Sequence, residues 1–581
     1  MAVVVAGALL AGCVTAGGGG GASMGAALGG SASHAMADGA ARSSVEEVLR
    51  QDPATLGART ATAVRAFYQQ RQNTPAWTDA RGLTALGRQV RAVLDTAWVD
   101  GVTGAAPLPP VARETPAEAR TRDAGTLARL DVALTTALTD YVQRATTARR
   151  TAAAGGVAAT LAQIARDDAD AERPGTLFRV VSAEDRQARL RRAVLDYEAL
   201  ARAGGWPTPP ATGVKLEPGA VHPDIALVRA QLIVTGDHAG ATPPNPALYD
   251  AALAASVRRF QARHGLSEDA KIGKRTREAL SRPVEHRLQQ MALNLKRLRD
   301  IPAAPVGRSV EVNIAGSHLE GRDNGITTFQ TDVIVGRRDR PTPELSSAIN
   351  RMVLNPTWTV PTTIAEKDIL PKVRRDPSYL TRAGFTVYSG WDGESEVLDP
   401  TTIDWSAEDV DIRALRLRQA PGGGNALGNI KFMFPNRHDV YLHSTPSRGL
   451  FARSQRTFSS GCVRVRDPMD FAAFLMNTTG HTAESVAARI RKGGTQTVRP
   501  PSAVPLSIVY VTAWVDTTNT VHFRRDIYGH DARQMPRIAQ RPPTPVAAPP
   551  RVIPTLTASE TPVPVSAPGP ALVTETAEGS I

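Results

Sequence analysis

One stretch of the chain holds a histidine and a cysteine, residue types that together can carry out acyl transfer. It opens with Asp439-Val440-Tyr441-Leu442-His443 and, nineteen residues after the histidine, reaches Cys462 within Ser459-Ser460-Gly461-Cys462-Val463-Arg464. A free thiol has a pKa near ~8.5, so little thiolate exists at neutral pH. An imidazole within hydrogen-bond reach takes the proton and later returns it to a leaving amine. Buried cysteines are commonly inert, but three features set this pair apart. His443 ends a strand-like run, a rigid place from which to present a base. Cys462 follows small residues that let a substrate approach the backbone. Asp467-Pro468 then reads as the N-cap and first residue of a helix running to Met476, and a helix start near the thiol favours the thiolate. The backbone N–H groups of Gly461 and Cys462 are candidates for holding a tetrahedral oxyanion, worth roughly 3–4 kcal/mol for one good donor. Arg464 suits either a substrate carboxylate or the bracing of the catalytic loop.

These residues need a scaffold, and 581 residues are too many for a single core. No run of about eighteen apolar residues is present to span a bilayer. The net charge of +12 is spread along the chain, and no zinc-finger, homeodomain or RNP-type pattern points to nucleic acid. The two cysteines, Cys13 and Cys462, lie too far apart to suggest a disulfide framework. Residues 1–12 have the length of a secretory apolar segment, although no Lys or Arg precedes it. Leu10-Ala11-Gly12-Cys13 resembles the lipobox of bacterial lipoproteins, which implies acylation of Cys13, export and an outer-membrane anchor facing the periplasm.

Composition then divides the chain. Residues 13–42, rich in Gly, Ala and Ser, read as a flexible tether, and the Pro-rich segment 536–581 reads as disordered. Residues 43–221 show helical spacing, for instance along Leu130 to Val142, and end at the glycines and prolines of 204–210. Residues 222–283 hold a helical core from Leu248 to His264. The helix 285–299 is expected to pack back on the scaffold. Residues 308–531 change to alternating runs such as Val310-Glu311-Val312-Asn313-Ile314, Asp332 to Gly336 and Ser507 to Val511, the pattern of half-buried strands. The expected fold class is multidomain α+β.

His-x(n)-Ser-x-Gly-Cys-x-Arg is complete here and resembles the signature of the L,D-transpeptidase catalytic domain family. Several further stretches look like its large, three-domain periplasmic members: Arg340-Pro341-Thr342-Pro343, Leu354-Asn355-Pro356-Thr357-Trp358, Ile364 to Pro371 and Asn425-Ala426-Leu427-Gly428 with Lys431 to Asn436. Phe67-Tyr68, Pro75-Ala76-Trp77 and Gly82-Leu83-Thr84 are similar to their scaffold domain. Val257 to Gln261, Gly265-Leu266, Asp269, Ile272-Gly273, Thr276 and Leu280 resemble a small peptidoglycan-binding domain, in which a glycine usually stands where this chain has Ala270. The resemblance implies a β-rich catalytic domain with a helical lid over about 365–415. It implies Cys462 as nucleophile, His443 as general base, Gly461 in the oxyanion loop, and substrate-side roles for Tyr441, Ser460 and Arg464. Trp358 suits the substrate side or core packing. No metal or organic cofactor is implied. The implied partners are a donor tetrapeptide stem and an acceptor stem of peptidoglycan, with carbapenems as covalent inhibitors. The implied product is a 3→3 cross-link.

The same pair would also serve hydrolysis, exchange of D-amino acids, or attachment of protein to the wall. The sequence contains neither Ser-x-x-Lys nor Lys-Thr-Gly, which disfavours serine penicillin-binding chemistry. Gly422-Gly423-Gly424 lacks the remaining residues of a nucleotide loop and reads as a turn. A non-catalytic wall-binding lipoprotein is the reading from a different class, and the intact Cys–His pair argues against it.

Overall fold

The computed structural model describes residues 26–51, 56–102, 123–149, 156–166, 177, 185–302, 306–407, 410–476 and 481–537. Cys13, the segment 1–12 and nearly all of 536–581 lie outside them. Two compact units result. Among the described residues, the larger takes those up to Ala201, a short piece at Arg263–Ser267, and those from Val284; the smaller takes Arg202–Ala262 and Glu268–Pro283.

The larger unit begins with helices, as expected, but the first of them, Ala26–Gln51, includes residues 26–42 of the expected tether. Alanine is the best helix former, and its abundance there outweighs the glycines. In the scaffold, β1 (Thr78–Asp79) and β2 (Gly82–Leu83) form a short hairpin. Phe67 stacks on Trp77 with ring centroids 6.0 Å apart. Buried Asp131 accepts the backbone N–H groups of Trp77 (2.7 Å) and Thr78 (2.8 Å) and the Tyr68 hydroxyl (2.6 Å). One carboxylate thus ties together the Phe67-Tyr68 and Pro75-Ala76-Trp77 motifs. The helix Val284–Asp300 packs back on the scaffold, where Arg299 donates to the Asp100 and Val99 carbonyls. Its other side holds the strand-rich domain, since Asn294 exchanges two hydrogen bonds with Thr512.

In the smaller unit the helices are Pro223–Val234, Ala251–Arg263 and Lys274–Leu280. Residues 202–221, expected with the scaffold, join this unit instead. Leu216 exchanges backbone hydrogen bonds with Ile272, and Val221 bridges Leu248. Ala270 has φ +57°, the left-handed region, and this explains why a glycine is usual there. Its N–H is held by Gln261 Oε1 at 2.9 Å. Relief of left-handed strain, less the entropy cost of glycine, predicts that Ala270→Gly stabilises this unit by roughly 0.5–1 kcal/mol, read as a shift in thermal unfolding.

The strand-rich domain is built on β3 (Arg308–Asn313), β4 (His318–Asp323), β5 (Ile326–Gly336), β6 (Leu345–Ile349), β7 (Arg351–Leu354), β12 (Ile430–Met433), β13 (Leu442–His443), β14 (Thr457–Ser459), β15 (Val463–Val465), β16 (Gln496–Val498) and β17 (Val504–Val509). Their order is β16-β7-β12-β13-β15-β5-β4-β3-β17-β6, with β14 beside β5. β13 and β15 run parallel, an uncommon pairing in an otherwise mostly antiparallel sheet, and they carry His443 and the strand that follows Cys462. One face of the sheet buries Ile430, Phe432, Leu442, Val463 and Val465 with Phe471 from the helix Pro468–Met476. A hairpin of β18 (Ala513–Val515) and β19 (Val521–Phe523) follows.

The insertion expected as a helical lid has a sheet as well as short helices. β8 (Trp358–Thr359), β9 (Phe385–Tyr388), β10 (Val397–Leu398) and β11 (Arg416–Gln419) are ordered β10-β9-β11-β8. They enclose a separate core that includes Val373, Leu380, Val387, Trp405 and Leu417. Strands of two to four residues are too short to show a period in sequence, whereas the helical segments around 362–382 do.

Candidate active site

Strand alternation builds the site. Ile430, Phe432, Leu442, Val463 and Val465 face the core, so Lys431, Tyr441, His443, Cys462 and Arg464 share the opposite face. Register fixes their arrangement: Leu442 pairs with Val463, His443 with Arg464, and Lys431 with His443. One step earlier, the Val463 N–H donates to the Tyr441 carbonyl at 3.1 Å, which sets Cys462 beside Tyr441.

Cys462 is the free cysteine of the described residues. Burial pushes its thiol above the usual range, while the Tyr441 N–H, the Lys431 ammonium, the Tyr441 hydroxyl and Arg464 act against that rise. The thiol is thus raised, with burial the largest cause. Asp467, expected as the cap of the helix Pro468–Met476, spends its carboxylate on the Thr331 hydroxyl (2.7 Å) and Arg466 (3.0 Å).

His443 is buried, and burial, Arg464 and Lys431 lower its pKa to about 3, against the raising effect of the Ser444 and Leu427 carbonyls. Nδ1 faces the Ser444 carbonyl at 2.5 Å. A carbonyl only accepts, so Nδ1 carries the hydrogen and Nε2 is left with the lone pair that a base needs. Among the described residues no hydrogen bond joins this ring to the Cys462 thiol. The two residues stand diagonally across the strand pair, His443 opposite Arg464 and Cys462 two residues before that arginine. Such contacts often close only when substrate arrives.

The loop presenting the Leu427 carbonyl is fixed by buried Asn425. Its side chain accepts the Leu427 N–H at 2.8 Å and donates to the Pro356 and Ala420 carbonyls. At Gly428, with φ +59°, a Cβ would stand 2.5 Å from Ser444 Oγ. Only glycine lets this loop close on the histidine strand, which accounts for the Asn425-Ala426-Leu427-Gly428 motif.

The loop before the thiol is fixed by its own side chains and by a distant arginine. The Gly461 N–H donates to Ser459 Oγ at 3.2 Å, so it is engaged, while the Cys462 N–H makes no hydrogen bond among the described residues. Of the two candidate donors, the Cys462 N–H is therefore the one left free among the described residues. Gly461, at φ +114°, supplies the turn, and its carbonyl is held by the Thr342 hydroxyl at 2.8 Å. Ser460 is tied to a distant arginine. Its Oγ accepts from Arg340 at 2.9 Å, and the same guanidinium grips Asp368 of the insertion through both carboxylate oxygens. Asp368 sits in the π-helical turn Ala365–Ile369. Arg340 thus clasps the insertion to the nucleophile loop. Arg340→Ala should lower acylation of Cys462 by roughly 10- to 100-fold, the scale for losing a charge-assisted contact. Asp368→Asn should give a smaller loss, and stopped-flow acylation rates of both variants measure it.

Tyr441 lies against the thiol, and its hydroxyl also contacts Trp358. Trp358 packs on Phe385 of the insertion with centroids 6.1 Å apart, so it links lid and site and serves packing as well. Lys431 is the residue the sequence did not single out. Its ammonium lies 3.9 Å from the Tyr441 ring centroid, a cation–π contact beside the thiol. Alternation within Ile430-Lys431-Phe432-Met433 was the available signal, since a lysine there must face away from the core. Among the described residues no cluster of three or more His, Cys, Asp or Glu could hold a metal ion.

Comparison with known proteins assigns the regions. A family described as "L,D-transpeptidase catalytic domain" matches residues 307–498, one described as "Scaffold domain" matches 62–202, and one described as "Putative peptidoglycan binding domain" matches 221–280. A Haemophilus influenzae protein named "Putative L,D-transpeptidase" is 38% identical over 243 residues, 42% of this chain and 48% of that protein. The chain thus spans about half the length of that relative. Among solved structures, an L,D-transpeptidase from Mycobacterium smegmatis is 10% identical, with a TM-score of 0.18 over 35% of this chain and 59% of that one. One from Xylanimonas cellulosilytica is 14% identical, with a TM-score of 0.17 over 52% and 99%. At such scores neither likeness adds to the argument. The chain therefore contains a scaffold domain, a peptidoglycan-binding domain and, around Cys462 and His443, an L,D-transpeptidase catalytic domain.

Proposed function

We propose that this protein is a peptidoglycan L,D-transpeptidase that forms 3→3 cross-links. The observation that carries the reading is one sheet face with Cys462 beside Tyr441 and, on the neighbouring strand, a neutral His443 whose tautomer is fixed by the Ser444 carbonyl. In the donor step, Cys462 Sγ attacks the carbonyl between the L-centre of the third residue and the terminal D-Ala. Its proton passes to His443 Nε2, and the Cys462 N–H holds the oxyanion. The C–N bond breaks as the imidazolium returns the proton to the departing amine of D-Ala. The Ser444 and Leu427 carbonyls support the transient positive charge on the ring, as an orienting acceptor does in other nucleophile–base sites. The side-chain amine of a diamino acid in a second stem then attacks the thioester, gives a proton to His443, and releases the thiol.

Product analysis tests this reading. Purified protein with tetrapeptide muropeptides should yield dimers joined between two third residues, with one D-Ala released per link. Free tripeptide stems with no dimer would make the enzyme an L,D-carboxypeptidase instead.

The peptidoglycan-binding domain supports wall polymer as the partner, and the apolar stretch before Cys13 supports export to the periplasm with a lipid anchor on that cysteine. Cys13→Ser should move the protein from the membrane to the soluble fraction of its native host. Unchanged fractionation would remove the anchor from the account.

A further inference from the structure

Two cations stand beside the thiol without an acid to answer them. Lys431 and Arg464 share the face of Cys462, one on the strand beside His443 and the other directly opposite His443. Among the described residues neither forms an ion pair, and the buried Nε of Arg464 has no hydrogen-bond partner. Lys431 makes its close contact with the Tyr441 ring, which leaves the ammonium's three donors for something else. A buried cation is costly unless paired. Lys431 and Arg464 are half-buried and carry part of that cost, which an anion arriving from outside would relieve. Burial pushes both side chains' pKa values down, and the Cys462 charge is the main influence that opposes this.

We propose that Lys431, together with Arg464, binds the free terminal carboxylate of the donor stem, one residue beyond the bond that Cys462 attacks. This rests on the transpeptidase reading above. Bond lengths make the placement feasible: the carboxylate carbon of a terminal residue lies within about 4 Å of the scissile carbonyl carbon. A cation beside the thiol therefore falls within reach of that carboxylate once the carbonyl is poised for attack. The pairing selects stems that end one residue past the scissile bond, because a longer stem carries its carboxylate beyond the site. When the C–N bond breaks, the carboxylate departs with D-Ala, and the cations are again unpaired beside the acyl-enzyme. The free carboxylate of a diamino acid at the third position has the same chemistry, so an experiment must separate the two sources.

Three donors do so: the tetrapeptide stem as free acid, the same stem amidated at its terminal residue, and the stem amidated at the diamino-acid carboxylate. With the full chain, kcat/KM for D-Ala or D-Ala-amide release is measured on each, for wild type, Lys431→Met and Lys431→Arg. Terminal amidation should cost wild type roughly 10- to 100-fold, the range for one charge-assisted hydrogen bond. In Lys431→Met that acid-to-amide ratio should shrink at least tenfold, whichever way the amide rate itself moves, and Lys431→Arg should restore most of it. Lys431→Gln replaces the methionine variant if that variant does not fold. An unchanged ratio in Lys431→Met overturns the proposal and leaves Lys431 as a support for the thiolate alone. A penalty that follows amidation of the diamino acid instead also overturns it. If wild type releases nothing from any of the three donors, the transpeptidase reading itself has failed.

Discussion

Cys462→Ala is expected to abolish acylation, by a factor on the order of 10⁶, the scale seen when a covalent nucleophile is removed. The described residues offer no second thiol, and the neighbours of Cys462 are unsuited to replace it. Burial pushes the Tyr441 hydroxyl far above the working pH range, and Lys431 is engaged with the tyrosine ring. Cys462→Ser should be nearly as inactive. A hydroxyl is a far weaker acid than a thiol, so much less of the nucleophilic anion forms with the same base. Intact-protein mass after incubation with a carbapenem measures the effect. Wild type should gain one inhibitor mass and both variants none. An adduct of equal yield on Cys462→Ala would move the nucleophile elsewhere.

His443→Gln should lower acylation about 10²- to 10⁴-fold at neutral pH, the usual worth of a general base. The loss should shrink as pH rises toward the raised pKa of the thiol, because hydroxide then forms thiolate unaided. Wild type should lack the fall near pH 6.5 that an exposed histidine would give, since burial keeps His443 unprotonated down to about pH 3. The same burial makes folding acid-sensitive. Between pH 6.5 and about 3 the unfolded chain binds a proton at this residue that the folded chain does not. Stability from His443 is therefore complete above pH 6.5 and falls by up to about 1.4 kcal/mol per pH unit below it. His443→Gln should flatten that part of the stability curve, measured by urea unfolding at a series of pH values. Near-wild-type acylation by the glutamine variant across pH 6 to 8 would reduce His443 to a role in positioning the loop.

Much of this site was legible in the sequence because its chemistry is local. The strand ending at His443, the Ser-Gly-Cys turn and the helix after Asp467-Pro468 are each set by a few consecutive residues. The strands around Val310, Val333 and Ile508 and the helix Ala251–Arg263 follow from two- and four-residue periods. What escaped depends on register and on distant partners. Lys431 faces the thiol only because β12 pairs with β13, and no property of residues 430–433 alone reveals that. Arg340 lies 120 residues before the Ser460 that it braces, so its place in the site is purely tertiary. The Gly461 N–H is a plausible oxyanion donor by sequence, yet the Ser459 side chain two residues away claims it. The thiol's acidity was misjudged for a similar reason. Burial of the Cys462 thiol comes from residues distant in the chain, and it outweighs the lowering effects of Tyr441, Lys431 and Arg464.

The central claim is that Cys462 becomes acylated by a stem peptide with release of its terminal residue. Wild-type protein mixed with a tetrapeptide stem, in the absence of any amine acceptor, provides the most direct measurement. Intact-protein mass should rise by that of the stem less D-Ala, peptide mapping should place the thioester on Cys462, and free D-Ala should appear in equal amount. D-Ala release with the acyl group mapped to another residue, or no mass gain on a folded protein that carbapenem still labels, would contradict the account.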